Sequence, residues 1–169
     1  MAVYQYYLGI IPEQGIYDSM PNEIGVSSKT GYFETDAKIY WKDVNVNVEN
    51  IVSKVDLIVN RANWDNDKTS INWKTYTNEV DNDASIYLDE KSLRIKEFSF
   101  RADLREKNLT FLKNMIELGV ENEWLFFDRK GKLMKPDFEE IKNSIRNSNA
   151  YSFLEDPIKF LENIDKKNK

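Results

Sequence analysis

Residues 84–102 read ASIYLDEKSLRIKEFSFRA, and the rest of the fold can be built from the β-hairpin that this stretch predicts. Ile86 and Leu88 alternate with Ser85, Tyr87 and Asp89. This period of two is expected of a strand that has one buried face. Residues 89–92 are charged or small and suit a turn. We therefore expect a strand at 84–89 and its antiparallel partner at 93–102.

The second strand of this hairpin carries an irregularity. Its apolar phase slips between Ile95 and Phe98, which predicts a β-bulge near residues 96–97. Directly after the strand, Asp103 and Glu106 have the spacing of a capping box, in which two side chains satisfy free amides of a helix start. The apolar stripe of the predicted helix consists of Leu109, Leu112, Met115 and Ile116. Gly119 is expected to end the helix.

Further elements lie on both sides of this centre. Alternating residues at 4–11 predict a strand that Pro12 ends, and residues 123–129 predict a largely buried strand. Residues 48–59 predict a helix with Asn47 as its N-cap. Residues 38–41 could add a short edge strand. Two more helices are expected to begin at Pro136-Asp137 and at Asp156-Pro157, and Ile158 and Leu161 of the last one are expected to face inward.

The predicted order is β-α-β-β-α-β followed by two C-terminal helices. It indicates an α+β fold of the ferredoxin-like split type, in which an antiparallel sheet carries its helices on one face. We expect Phe100, Leu112, Ile116 and Phe126 to be buried together in the core. The domain should span residues 1–165, with an irregular insertion at 13–37 and a basic disordered tail at 166–169.

Composition excludes several classes of enzyme. The 169 residues include no histidine and no cysteine, so Ser-His-Asp and Cys-His catalysis and disulfides cannot occur. The best nitrogen and sulfur ligands for zinc are also missing. Neither a phosphate-binding loop nor a dinucleotide fingerprint is present. We expect a protein that is not an enzyme and that has no catalytic residues, no cofactor and no metal.

The charge of the chain limits its partners. The formal net charge is −5 and the pI is about 5.0, so a phosphate backbone would be repelled and nucleic acid is not an expected partner. Apolar runs are too short to cross a bilayer, and the first residues do not resemble a signal peptide. These features indicate a cytoplasmic protein that does not bind membranes.

A polar segment from Trp64 to Asp83 is the candidate partner-binding surface. It combines two tryptophans with the densest acidic cluster in the middle of the chain, so a basic protein would be steered there and held by an aromatic anchor. The predicted contact residues are Trp64, Asp65, Asp67, Trp73, Glu79, Asp81 and Asp83. A solvated loop or a hard-cation site would use the same residues. Nearby, Arg101 and Arg105 flank Asp103, which favours ion pairs over an anion site.

Several stretches resemble a known group of proteins. They include Arg61-Ala62-Asn63-Trp64, Ile71-Asn72-Trp73, residues 81–90, residues 97–105, and the ending at residues 148–161. Together they resemble small bacterial immunity-type proteins encoded beside polymorphic or contact-dependent toxins, and the resemblance runs from about residue 41 to residue 164.

This resemblance implies a cytoplasmic protein that neutralises a cognate toxin, with a basic toxin domain as its partner. It carries no set of functional residues over to this chain. Two alternatives remain at this point: a ligand-binding or regulatory domain on a ferredoxin-like sheet, and a hydrolase that uses two carboxylates.

Overall fold

A computed structural model of the protein describes residues 3–16, 37–64, 67–75, 77 and 79–167, and of these it leaves out the side chains of 162 and 164–167. One six-stranded sheet has the order β2-β3-β4-β1-β5-β6, with every neighbouring pair antiparallel. The strands are β1 (Gln5–Pro12), β2 (Ser70–Lys74), β3 (Asp83–Leu88), β4 (Ile95–Asp103), β5 (Trp124–Phe127) and β6 (Leu133–Met134).

Within the described residues, six α-helices accompany the sheet. They are α1 (Lys38–Trp41), α2 (Val48–Asp56), α3 (Thr110–Glu121), α4 (Phe138–Arg146), α5 (Asn149–Glu155) and α6 (Pro157–Lys167). Short 3-10 turns lie at Glu13–Gly15 and Lys107–Leu109. The α+β class and the antiparallel sheet predicted from the sequence are confirmed.

The main core lies between one face of the sheet and helices α2, α3 and α4. Alternate residues of the strands point to this face, as the strand period requires. The predicted cluster of Phe100, Leu112, Ile116 and Phe126 is buried here, as expected. Phe100 contacts Phe111 and Phe126 edge to face, with ring centroids 5.8 and 5.6 Å apart.

A smaller apolar cluster covers part of the other face, around Ile11, Leu125 and Phe127. Gly9 is essential to it, because the ring of Phe127 lies directly over the glycine. A Cβ atom built on Gly9 would stand 2.0 Å from Cζ of Phe127, which is far inside any real contact. The lack of a side chain at residue 9 therefore makes room for a buried aromatic ring.

We expect Gly9→Ala to destabilise the protein, since the added methyl group must displace Phe127 or bend the centre of the sheet. Overpacking of this kind costs about 1–3 kcal/mol, although alanine is intrinsically better than glycine in a strand. Thermal unfolding of Gly9→Ala and of the double variant Gly9→Ala/Phe127→Leu checks this. The double variant should recover part of the loss, and equal stability of Gly9→Ala and wild type would contradict the close contact.

The predicted β-bulge and several predicted helix starts are present in the structure. Tyr87 pairs with Glu97 while Leu88 pairs with Ile95, so Lys96 is the extra residue of the predicted bulge. Three predicted helix starts also hold. The side chain of Asn47 accepts from the amide of Asn50, Asp137 accepts from Glu140, and Asp156 accepts from Lys159.

The predicted capping box at Asp103 is wrong. Asp103 ends β4, and α3 begins only at Thr110, after the 3-10 turn. Glu106 does cap this helix, but through the amide of Phe111 rather than through a reciprocal box. Gly119 does not end α3 either. It lies inside the helix, where a Cβ would stand 2.6 Å from Cζ of Phe126.

Other elements were missed or misassigned. β2 and β6 were not predicted, and residues 38–41 form a helical turn rather than an edge strand. The indole of Trp41 in that turn donates to the carbonyl oxygen of Ile10 and packs edge to face on Trp124. Three helices, not two, follow the sheet, because Ser148 caps a separate α5.

The C-terminal helix also differs from expectation. Ile158 and Leu161 were predicted to face inward, yet they are 73% and 55% exposed. Helix α6 extends to Lys167, so the first two residues of the predicted tail are helical, and residues 168–169 lie outside the described residues. Most of the predicted 13–37 insertion, residues 17–36, also lies outside them. In the described part of the chain, none of the helices has the length and apolar character needed to cross a membrane.

Candidate functional site

The seven predicted contact residues do not form one surface. Trp64 and Asp67 precede β2 and are exposed, whereas Glu79 is exposed in the loop that follows this strand. Asp65 lies outside the described residues. Because β2 separates the two groups, the segment presents acids at both ends of an edge strand rather than in one patch.

Trp73 is a core residue and not a surface anchor. It is 1% exposed, and its indole nitrogen donates to Asp56 Oδ1 at 2.7 Å. The guanidinium of Arg61 lies 4.9 Å from the centre of the Trp73 ring and pairs with the same carboxylate. This hydrogen bond from Arg61, supported by Trp73, keeps the pKa of Asp56 below its ordinary value, so Asp56 stays ionised at neutral pH.

Two of the predicted acids are held within the fold. Lys74 pairs with Asp81 and with Asp83, the latter at 3.2 Å. Arg101 approaches Asp83 at 2.7 Å. Asp83 is buried and Asp81 is partly buried, so their charges are compensated internally. The ion pairs expected near Arg101 are present, and Asp81 and Asp83 stabilise the sheet edge.

The same network continues through Asp103 at the end of β4. Its fully buried carboxylate accepts from the amides of Asp81 and Arg105, at 2.8 and 2.9 Å, and pairs with the Arg105 side chain at 2.7 Å. Burial alone would raise the pKa of Asp103, but these hydrogen bonds outweigh it and hold the pKa below its ordinary value. Asp103 thereby fastens the loop before β3 to the sheet.

That loop forms one wall of a cleft of about 470 Å³. The second wall is the end of α2 with residues 57–60, and the third is the start of α3. Its lining includes the acids Asp56, Glu79 and Glu106, and no lysine or arginine is among its described lining residues. Asp56 is already paired with Arg61 outside the lining, so Glu79 and Glu106 supply the remaining acidic charge of the cleft. We call this the acidic cleft.

The residues of the acidic cleft are fixed by local hydrogen bonds. Thr77 Oγ1 accepts from the amide of Val80 at 2.8 Å, which shapes the turn that carries Glu79. Glu106 accepts from the side chain of Asn82 at 3.2 Å as well as from the start of α3. The position of the Glu106 side chain is therefore fixed by two parts of the structure. The carboxylates of the cleft are held in place before any partner binds.

An apolar side chain stands at the rim of the acidic cleft. Leu57 follows the last turn of α2 and is 88% exposed, the highest exposure of any large apolar residue that the structure describes. The sequence pattern does not single out Leu57, because it belongs to an apolar run that suits a buried helix face. Leu57 keeps helical backbone angles, with φ −79° and ψ −18°. It therefore lies on the same side of α2 as Ser53 and Asn50, which are also exposed.

Chemically, the acidic cleft is suited to accept cationic groups. Carboxylates and threonine hydroxyls line it, and an exposed leucine offers an apolar contact beside them. In the described residues, no cluster of three or more potential metal-ligating acids is close enough to hold an ion.

The opposite end of β3 carries charges of both signs. The hairpin at 89–94 and α1 form a shallow pocket lined by Lys38, Lys42 and Arg94 around Asp89. Lys38 pairs with Asp89 at 3.0 Å. The amide of Ser92 and the Lys38 side chain lower the pKa of Asp89. Lys42 pairs with Asp43, and Glu90 and Glu97 lie close by, so the charges at this end of β3 are largely balanced.

Comparison of the chain with protein-family models, with curated proteins and with solved structures finds no match.

Proposed function

We propose that this chain is a non-catalytic cytoplasmic binding protein that neutralises a cognate bacterial toxin by direct contact. The observation that carries this proposal is the acidic cleft with Leu57 exposed at its rim. Carboxylates attract a basic partner, and an exposed leucine supplies an apolar contact that is buried on binding. Protein interfaces commonly combine charged and apolar contacts in this way. The resemblance to immunity-type proteins supplies the class of partner: a basic toxin domain.

The charge of the cleft supports the same proposal. Glu79 is exposed in the cleft wall, and no lysine or arginine is among the described residues that line the cleft. An acidic field of this kind attracts a basic partner before contact and raises the association rate. Trp64 lies outside the cleft lining and is a secondary contact in this arrangement.

We also propose that the central strands follow the ferredoxin-like plan. The order β3-β4-β1-β5 with antiparallel neighbours supports it, as does the placement of α2 after β1 and α3 between β4 and β5. In this plan β2 and β6 are additions at the two edges, and the acidic cleft lies beside the added β2.

Neutralisation can be tested genetically. We expect the gene beside this one to encode a large secreted protein with a variable C-terminal domain. That domain should stop bacterial growth when expressed alone, and co-expression of this chain should restore growth. A neighbouring domain that is harmless, or that kills equally well in the presence of this chain, would count against toxin neutralisation.

Two substitutions test the acidic cleft with the purified toxin domain. Glu79→Gln should lower the association rate severalfold at low salt and weaken its salt dependence, because the steering charge is lost. Leu57→Ala should leave the association rate nearly unchanged and speed dissociation, since loss of a buried leucine contact costs about 2 kcal/mol, or roughly 30-fold in Kd. Surface plasmon resonance at several salt concentrations measures both effects.

Matched controls come from the opposite end of β3. Glu90 and Leu93 are exposed in the hairpin, so Glu90→Gln and Leu93→Ala change the same chemistry away from the cleft. Both should bind like wild type. If they weaken binding as much as the cleft variants, or if neither cleft variant has an effect, the acidic cleft is not the contact surface.

A further inference from the structure

Asn82 is a buried asparagine at the point where several segments around the acidic cleft meet. It is 1% exposed and directly precedes β3. Its backbone carbonyl accepts from the amide of Thr75 at 2.8 Å, which closes the loop that carries Glu79. Its side chain lines the cleft and reaches both the end of β4 and the segment before α3. A single residue therefore joins these three parts of the structure.

The side chain of Asn82 uses both of its polar atoms. Oδ1 accepts from the backbone amide of Asp103 at 2.7 Å, and Nδ2 donates to Glu106 Oε2 at 3.2 Å. A backbone amide can only donate and an ionised carboxylate can only accept, so the two partners fix the orientation of the side-chain amide. Residue 82 must therefore supply one acceptor and one donor at the same time.

An aspartate at residue 82 would supply only the acceptor. It would keep the hydrogen bond from the amide of Asp103, but it would turn a second carboxylate oxygen towards Glu106. Two like charges at hydrogen-bond distance repel each other, so the Glu106 side chain would be displaced. Glu106 also accepts from the amide of Phe111 at 3.2 Å. Its displacement would therefore weaken a second hydrogen bond, in the first turn of α3.

We propose that Asn82 is the positioning residue of the acidic cleft, which holds the Glu106 carboxylate where a basic side chain of the partner contacts it. The identity of the partner rests on the proposed function, whereas the positioning rests on the hydrogen bonds of Asn82. Glu106 is partly buried. In the part of the chain that the structure describes, no lysine or arginine pairs with its carboxylate. A cation on the partner would be its first ion-pair partner.

The variant Asn82→Asp separates positioning from charge. It adds one negative charge beside the cleft, and charge alone would speed association with a basic partner. Displacement of Glu106 acts in the opposite direction, so toxin binding should become several-fold weaker through faster dissociation. In the free protein, the amide of Phe111 should exchange with solvent several-fold faster. The amide of Asn50, which Asn47 caps, should keep its wild-type rate and show that the fold is intact.

Hydrogen exchange followed by NMR, and surface plasmon resonance with the purified toxin domain, measure these effects. The matched control is Asn72→Asp, which makes the same change at a buried asparagine of β2 outside the cleft lining. It should leave exchange at Phe111 unchanged and should not weaken toxin binding.

The double variant Asn82→Asp/Glu106→Gln separates positioning from stability. It reverses donor and acceptor between the two residues and keeps the net charge of wild type. Exchange at Phe111 should return towards the wild-type rate, because the hydrogen bond between residues 82 and 106 is restored. Toxin binding should stay as weak as in Glu106→Gln alone, because the carboxylate is no longer at residue 106.

Three results would decide against the proposal or against its premise. Unchanged exchange at Phe111 in Asn82→Asp, or tighter toxin binding by this variant, would overturn the positioning role. Toxin binding that recovers in the double variant would overturn the contact with the Glu106 carboxylate. If wild type does not bind the toxin domain while exchange at Phe111 responds as expected, the proposed function fails and the positioning of Glu106 by Asn82 stands.

Discussion

Phe126→Ala should lower the free energy of unfolding by about 3–5 kcal/mol. The ring of Phe126 is completely buried, contacts Phe100 edge to face and lies against Gly119 of α3. Truncation removes apolar burial and leaves a cavity between two rigid elements. The glycine at residue 119 offers no side chain that could move in to fill it.

Urea unfolding followed by tryptophan fluorescence measures this change. Phe126→Leu should lose less than half as much, because most of the volume is kept. Val120→Ala, one residue after Gly119 but exposed, should stay within about 0.5 kcal/mol of wild type. A loss below about 1 kcal/mol for Phe126→Ala would mean that this part of the core is loosely packed.

Asp103→Asn should cost about 3 kcal/mol at neutral pH. The buried carboxylate accepts from two amides and from the Arg105 side chain, and removal of one partner from a buried pair typically costs about 3–5 kcal/mol. We expect the lower end of this range of free energies, because the Arg105 side chain is partly exposed to solvent. An asparagine would also direct its amide hydrogens at groups that are themselves donors.

The same substitution should change the acid dependence of stability. Because the pKa of Asp103 is lowered in the folded protein, its contribution is complete above the unfolded aspartate pKa of about 3.9. That contribution is lost as pH falls through the lower folded value. The stability difference between wild type and Asp103→Asn should therefore be constant from neutral pH to about pH 5 and shrink below about pH 4.

Denaturation curves at a series of pH values measure this effect. Glu79→Gln, an exposed acid in the same loop, should differ from wild type by no more than about 0.5 kcal/mol at neutral pH. If the difference between wild type and Asp103→Asn stays constant down to the lowest pH, the ionised carboxylate is not what stabilises the loop.

The features that the sequence predicted correctly depend on neighbouring residues. The predicted helix starts near Asn47, Asp137 and Asp156 need only a side chain and an amide three residues away, so their pattern is visible in the sequence. The hairpin and its bulge at Lys96 likewise follow from a phase slip within a few residues. The absence of histidine and cysteine excludes whole classes of chemistry without any coordinates.

The features that escaped prediction depend on contacts between distant segments. Residues 70–74 resemble a polar loop by composition, yet they become an edge strand because β3 offers unpaired backbone groups. That pairing buries Trp73 and brings Lys74 to Asp81 and Asp83. A predicted acidic surface thus became an internal ion-pair network, while Glu79 stayed outside.

The same reasoning explains Leu57 and α6. A helical apolar pattern predicts which side chains share a face, but it does not say whether anything covers that face. Leu57 and Ile158 both belong to such patterns and are both exposed, because burial depends on which other elements reach them. Local chemistry in the sequence therefore predicted most elements of the fold, and long-range packing assigned each charged or apolar residue to the core or to the surface.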